Sequence, residues 1–378
     1  MPLRCLMAGI GPPHRFRTIR LRIYFKRLEH GRERALARPC WFWMNAQQGE
    51  LPRLPPLDAR IPQWPPQSLV DRKCPLCGRN NPHVLSRPDG LPVAYCLQCN
   101  LWYVSRAPDE NTLIDWYRGY WRTFRPYELT ARTAAALRRT ALEDAKGDLR
   151  FKRLGALSTL QGSRFLDVGC GIGVDLVKAD ALGAKVTGVD IAPEACAFVS
   201  RHLGFKTNLG NLEDAQLPSD SMDVIMMADL VEHPLGLRRL LDESLRILAP
   251  RGLLVFWTPN GGAAGTSCET AKEWVGFRVD LEHMQYLTAD SVVLLAGQYS
   301  CTVEHLESLD TPKLDDIDRP QVCKRAQGTT LRGSLSRIPG VRRIRNAAFS
   351  FIEKSEVKVT ERDGNFRLFS ILRKKGSA

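Results

Sequence analysis

Three groups of residues in this sequence are of types and spacings that could do chemistry. The first is Cys74-Pro-Leu-Cys77 and Cys96-Leu-Gln-Cys99, two Cys-x2-Cys pairs with 18 residues between them. Zinc prefers four soft ligands in a tetrahedron, and two tight turns each deliver two thiolates. Gly78 eases the turn after the first pair, and Asn100, tolerant of left-handed backbone, follows the second. Four thiolates leave no open coordination position, so Cys74, Cys77, Cys96 and Cys99 are expected to hold a structural zinc ion. His83 lies between the pairs and is not needed as a ligand. A redox dithiol is the alternative, but no thioredoxin-like pattern surrounds either pair.

The second group is a glycine-rich turn. Residues 164–173 read Arg-Phe-Leu-Asp-Val-Gly-Cys-Gly-Ile-Gly, an apolar strand entering a turn, with a helical pattern from Val174. Glycines let backbone approach a ligand closely, and a helix amino terminus favours negative charge. A dinucleotide site would place a third glycine where Val174 stands. Instead Asp167 precedes Gly169, Gly171 and Gly173, and the next strand, Val186 to Asp190, ends in a carboxylate. An acid at a strand carboxyl end can accept two hydrogen bonds from a ribose diol. The third group is a pair of Glu-His dipeptides, Glu232-His233 and Glu282-His283. Histidine titrates near neutrality and suits a general base.

The D-x-G-x-G-x-G turn followed by a strand ending in Asp resembles class I S-adenosylmethionine-dependent methyltransferases. The resemblance implies that Asp190, with Ile191 beside it, holds the ribose, and that Gly169, Cys170, Gly171 and Gly173 line the methionine side. Asp167 would shape the loop or meet the amino group through water. Asn211 and Leu212, in the stretch Asn211 to Pro218, match the adenine-contacting segment, although the family often has Asp where Asn211 stands. Asp229, at the end of the strand expected over 222–228, is a further cofactor-site candidate. Cys170 also reads as a small packing residue, and Asp223 as a structural turn acid. The order of cysteine module, Trp- and Tyr-rich segment, core and Glu-His is similar to nucleotide-sugar C-methyltransferases, and the core is similar to ubiquinone O-methyltransferases. By that likeness Glu282 and His283, loosely with Tyr286, line the acceptor site, and His283 is a candidate base. His233 either serves as a base or shapes the pocket. Pro75 stands where the sugar family usually has arginine after its first cysteine.

These residues need a frame. Strands are expected at 164–168, 185–189, 222–228, 252–258, 302–308 and 366–373, with helices between the first five. That alternation implies an α/β, doubly wound, Rossmann-like sheet whose last strand runs antiparallel, preceded by a small zinc module. Residues 309–365 form an insertion. Leu113, Trp116, Tyr117, Tyr120 and Trp121 recur at helical spacing within a connector over 108–160. Six prolines between Pro52 and Pro66 suggest a stiff linker, so folding is expected to begin near Asp71. The expected organisation is a basic, Pro-rich, disordered extension over 1–70, a zinc module over 71–107, the connector, and a methyltransferase domain over 161–378.

The net charge of +13 is concentrated at the start, where residues 1–73 carry 14 Lys or Arg against 5 Asp or Glu. Arg15, Arg17, Arg20, Arg22, Lys26 and Arg27 alternate with apolar residues, a pattern for a membrane or nucleic-acid arm or for an unstructured extension. A basic stretch from Arg337 to Ile352 could likewise touch a membrane surface or pack on its own domain. No apolar run is long enough to span a bilayer. Seven of the 11 cysteines are scattered, unlike a secreted disulfide framework, so a cytoplasmic setting is expected. The expected partner is a small-molecule or glycan acceptor. The alternatives are an RNA base methyltransferase, since one such type also carries a zinc module, and a non-catalytic interaction protein on the same fold.

Overall fold

A computed structural model describes residues 51–57, 60–120, 129–309 and 366–376. The cysteine module holds strands β1 (Leu69–Asp71), β2 (His83–Ser86), β3 (Pro92–Cys96), β4 (Leu101–Val104) and β5 (Arg106–Pro108). Helices α1 (Glu110–Arg118), α2 (Ala131–Gly147) and α3 (Leu149–Leu157) follow. Asp109 caps α1 by accepting from the Thr112 amide at 2.8 Å, which fixes where the helix starts.

The core then alternates strand and helix: β6 (Arg164–Val168), α4 (Val174–Ala181), β7 (Lys185–Asp190), α5 (Pro193–Phe198), β8 (Lys206–Leu209), β9 (Met222–Ala228), α6 (Leu237–Ile247) and β10 (Leu248–Pro259). Short helix α7 (Cys268–Glu273) and strand β11 (Gln285–Tyr286) lead to α8 (Ala289–Gln298), β12 (Cys301–Leu309) and β13 (Arg367–Lys374). Seven strands form one sheet in the order β12-β13-β10-β9-β6-β7-β8. β10, β9, β6, β7 and β8 are parallel, and β13 runs antiparallel between β10 and β12. Strand order reverses between β6 and β9, so their carboxyl ends open a crevice, the usual ligand position in such sheets.

The central strands are apolar on both faces because both are covered. Phe165, Val224, Met226, Val255 and Phe369 pack toward Phe151, Leu154 and Leu176 on one side. Leu166, Ile225, Met227 and Phe256 pack on the other, and that core runs on without a break into Leu76, Leu101 and Tyr103 of the cysteine module. Asp223 binds the Arg164 amide at 2.8 Å and the Arg164 guanidinium at 2.6 Å, so it holds the start of β6.

Three expectations change. Folding does not wait for Asp71. Leu54 is buried, its amide bonds the Ser86 carbonyl at 2.9 Å, and Ser86 returns the bond to Pro52. Proline's fixed, extended backbone suits such a strap as well as it suits a linker. The module is not closed at residue 107 either, because β11 of the core adds to its sheet in the order β11-β4-β3-β2. Edge strand β8 was not anticipated, since four residues ending in exposed Leu209 carry almost no pattern. The arm around Arg15–Lys26 and the insertion with Arg337–Ile352 lie outside the described residues. Among the described residues no helix is long and apolar enough to cross a membrane.

Candidate active site

β6 ends at Val168, and the chain must turn sharply there to reach α4. Gly169, Gly171 and Gly173 all adopt left-handed backbone, with φ of +76°, +51° and +78°. The amides of Gly169 and Cys170 bond the Val189 carbonyl at 2.8 and 3.1 Å, which pins the turn to β7. Asp190, at the end of β7, completes the fastening. One of its oxygens accepts from the Gly171 amide and the other from the Ala192 amide, both at 2.8 Å. Burial raises its carboxyl pKa, and those amide bonds oppose the rise. Each oxygen retains a lone pair, so the acid fits a vicinal diol.

These groups line one cavity of about 320 Å³, within the usual size of a small-molecule site. Val168, Gly169, Gly171, Asp190, Ile191, Asn211 and Leu212 form one end. Tyr117, Tyr120, Asp229, His233, Glu282, His283 and Arg367 form the other. The apolar residues Val189, Ile191 and Leu212, beside a carboxylate that fits a diol and exposed loop backbone, suit a nucleoside cofactor such as S-adenosylmethionine.

The second end is chemically dense. The Tyr117 hydroxyl hydrogen-bonds His233 Nδ1. The rings of His233 and His283 meet edge to face at 4.7 Å between centroids. Burial drives both imidazoles well below their ordinary pKa; each is then lowered further by neighbouring positive character, His233 by His283 and His283 by Arg367. Both are therefore neutral rings. Glu232 is fully buried beneath them. One oxygen accepts from the Thr258 hydroxyl at 2.9 Å; the other has no hydrogen-bond partner among the described residues and lies 4.0 Å from His283 Nε2. Burial, then the charge of Asp229, holds the Glu232 carboxyl well above the usual range. Glu282 is pushed up to about 7 by burial and then by Asp280. A carboxyl poised near neutrality in a cavity can take or give a proton under ordinary conditions. Asp229 sits in left-handed backbone at φ +50°, and its carboxylate pairs with Arg367.

The four paired cysteines form a second cluster. Their sulfurs lie within 4.8 Å of one another, with Cys77 and Cys96 at 3.5 Å, and all eight described cysteines are free thiols. Tetrahedral zinc with thiolate bonds of about 2.3 Å requires sulfur separations of about 3.8 Å. Burial drives the Cys74 thiol up to about 12 and the Cys99 thiol upward, a cost that a bound cation would remove. The donor set fits a soft divalent ion.

Residues 122–306 match the family described as a methyltransferase domain. That segment, just under half of the chain, is similar to methyltransferase domains. Over 129 residues it is 30% identical to a ubiquinone biosynthesis O-methyltransferase of Bradyrhizobium sp. (strain ORS 278), covering 33% of this chain and 51% of that protein. Over 142 residues it is 31% identical to a malonyl-acyl-carrier-protein O-methyltransferase of Serratia marcescens, covering 37% of this chain and 51% of that protein. The chain thus spans about half the length of the curated relatives it matches. A solved S-adenosylmethionine-dependent methyltransferase of Mesorhizobium loti is similar with a TM-score of 0.39 and 17% identity, covering 61% of this chain and 100% of that one.

Within the methyltransferase domain, ten of the thirteen residues singled out for cofactor and catalysis line the cavity, and Asp167, Cys170 and Gly173 do not. Asp167 is buried under the loop, where desolvation and then Asp175 hold its carboxyl well above the usual range. Cys170 packs inward, and a Cβ on Gly188 would lie 2.7 Å from its sulfur. Gly173 opens α4 and faces the core. Gly173→Ala would bring a Cβ to 2.9 Å from Leu203 in left-handed backbone. We expect it to lower unfolding free energy by about 1–3 kcal/mol in urea titrations and to change cofactor affinity less than threefold.

Tyr117, Tyr120, Arg239 and Arg367 also line the cavity. The aromatic run on and just after α1 signalled Tyr117 and Tyr120 as helix-face residues, but only the packing of this segment over the crevice brings them to the cavity. Arg367 follows residues distant in sequence and has no local signal.

Proposed function

We propose that this chain is an S-adenosylmethionine-dependent methyltransferase of a small hydroxylated acceptor, with a sugar or nucleotide sugar as the first candidate, and that the cysteine cluster binds one structural zinc ion. The observation that carries the reading is the single cavity joining Asp190 and the glycine turn to Glu282, His283, His233 and Tyr117. Carboxylates and imidazoles that can bond adjacent hydroxyls, set beside the faces of Tyr117 and Tyr120, suit a carbohydrate ring. The order of cysteine module, aromatic helix and Glu-His segment supports the same reading. Phenolic acceptors are the second reading, favoured by the relatives named for ubiquinone biosynthesis.

S-adenosylmethionine supplies an activated methyl group when bound. Asp190 would hold its ribose, the Gly169–Gly171 backbone its methionine portion and Leu212 its base. Positioning alone supplies much of the acceleration for such a transfer. Glu282, or neutral His283, would accept the proton from the acceptor oxygen, and the Tyr117–His233 bond would fix the ring that forms the adjoining wall. Arg367 would hold the Asp229 carboxyl turned aside and oppose the rise that burial gives its pKa. Four thiolates around zinc leave no position for substrate, so the metal's contribution is to fold stability.

Calorimetry with S-adenosylmethionine tests the cofactor assignment: micromolar binding supports it, and no binding by folded, metal-loaded protein rejects it. Turnover is then screened on nucleotide sugars and on catechols. Methylation of catechols with no nucleotide sugar accepted would replace the first candidate with the second. For the cluster, Cys96→Ser is expected to reduce bound zinc from about one ion per chain to less than half that. Elemental analysis of protein purified without chelator measures this, and absence of zinc in the unaltered chain would reject the ion.

A further inference from the structure

Two arginines of the cysteine module end on the backbone of the acceptor wall. Arg87, in the turn after β2, is fully buried. Its guanidinium meets Asp89 through Nη2 at 2.6 Å and Nε at 3.2 Å, and both side chains are closed to solvent. The remaining donors leave the module. Nη2 donates to the Leu281 carbonyl at 2.6 Å, and Nη1 to the His283 carbonyl at 2.5 Å and the Tyr286 hydroxyl at 3.2 Å. Those two carbonyls flank Glu282. Arg72 adds a second grip on the same stretch, donating to the carbonyls of Val104, Met284 and Leu235 and to the Gln285 side chain at 3.0–3.3 Å. Pairing of Gln285 with Tyr103 and Tyr286 with Trp102 makes the loop's end a strand of the module's sheet.

We propose that Arg87 is a positioning residue for the acceptor site: its buried fork holds the backbone of Leu281–His283 so that Glu282 and His283 face the cavity. The proposal rests on the reading of that wall as acceptor-binding. The physical reason for arginine is its planar array of five donors, which can satisfy a carboxylate and two carbonyls at once. Lysine is a point charge with three donors and cannot span the same set. Loop carbonyls buried without partners are strongly unfavourable, so without Arg87 the loop must reorganise to find water. The cofactor end has separate supports, Val189 and Asp190 holding the glycine turn, and should not follow.

The test uses the full-length chain with its metal as isolated, labelled with ring-15N histidine, and S-adenosylhomocysteine as the ligand probe. His283→Gln assigns the His283 ring signal. Arg87→Lys and Arg87→Met are compared by ring spectra, by amide hydrogen exchange and by calorimetry. The expected result is a changed ring signature for His283 and more than tenfold faster exchange over residues 281–286, with exchange over 167–173 unchanged and S-adenosylhomocysteine affinity within threefold. Arg87→Lys, which keeps the charge beside Asp89, carries the test if the methionine variant does not fold. An unmoved His283 signal in folded Arg87→Lys would overturn the proposal. Loss of the whole fold in both variants would overturn it too, since Arg87 would then support the domain and not one loop. Failure of the unaltered chain to bind S-adenosylhomocysteine would count against the methyltransferase reading alone, because the ring and exchange measurements still report on the clamp.

Discussion

Replacing Asp190 with alanine is expected to weaken S-adenosylmethionine binding by about 100-fold. The carboxylate does two things that one substitution removes together. In the proposed reading it would offer a lone pair on each oxygen to a ribose diol, and hydrogen bonds to a charged group contribute about 1.5–3 kcal/mol each. Two at the low end make about 3 kcal/mol, which is about 100-fold in a dissociation constant. It also ties Gly171 and Ala192 to the end of β7 through two 2.8 Å bonds, so the turn that faces the methionine portion loosens when it is lost. Asp190→Asn separates the two effects. Its amide keeps one acceptor and turns a donor toward one of the two backbone amides, so an intermediate loss of about tenfold is expected. Calorimetry reads both. An alanine variant within threefold of the unaltered chain would mean that the ribose lies elsewhere.

That prediction rests on a part of the site legible in the sequence, and the reason is locality. Gly169, Gly171 and Gly173 are required where the chain makes a left-handed turn within a few residues of a strand end. Asp190 is marked by its position at the end of the next apolar run. The paired cysteines are marked by tight spacing within each turn. The parallel, doubly wound sheet was marked by the alternation of strands and helices, and its antiparallel last strand fitted that order, although edge strand β8 was missed. What was not legible depends on contacts between distant segments. Tyr117 and His233 are 116 residues apart, and nothing near either one announces their bond. Arg87 lies between the two cysteine pairs with no local signal, because its partners lie almost 200 positions away. The joining of β11 to the module's sheet from beyond residue 107 was missed for the same reason: β11 supplies only two residues, too few to form a pattern.

Glu282→Gln should lose turnover and gain stability, and the opposite signs are the point of the experiment. Glu282 is buried in the acceptor wall, where desolvation and Asp280 push its carboxyl up to about 7. If it takes the proton from the acceptor, the rate of the unaltered enzyme rises with pH through about 7 as the base form appears. Glutamine removes that limb and lowers kcat by about 100- to 10,000-fold, the usual contribution of a general base. Stability runs the other way. A carboxyl whose folded pKa lies above its unfolded value near 4.5 makes folding less favourable as pH rises. The penalty is absent below about 4.5, grows between 4.5 and 7, and is complete above 7, where a shift of this size is worth up to about 3 kcal/mol. Glutamine fills the same space without a charge. The two proteins should therefore unfold alike in denaturant at pH 4, and the variant should be the more stable at pH 8. This comparison needs no acceptor, so it can be made before the substrate is known. Equal stability at both pH values would show that Glu282 is not held in a desolvated site, and would shift the role of base to His283. Lower stability of the variant at pH 8 would show that the carboxylate is held by a favourable partner, an arrangement that suits binding a cation and not abstracting a proton.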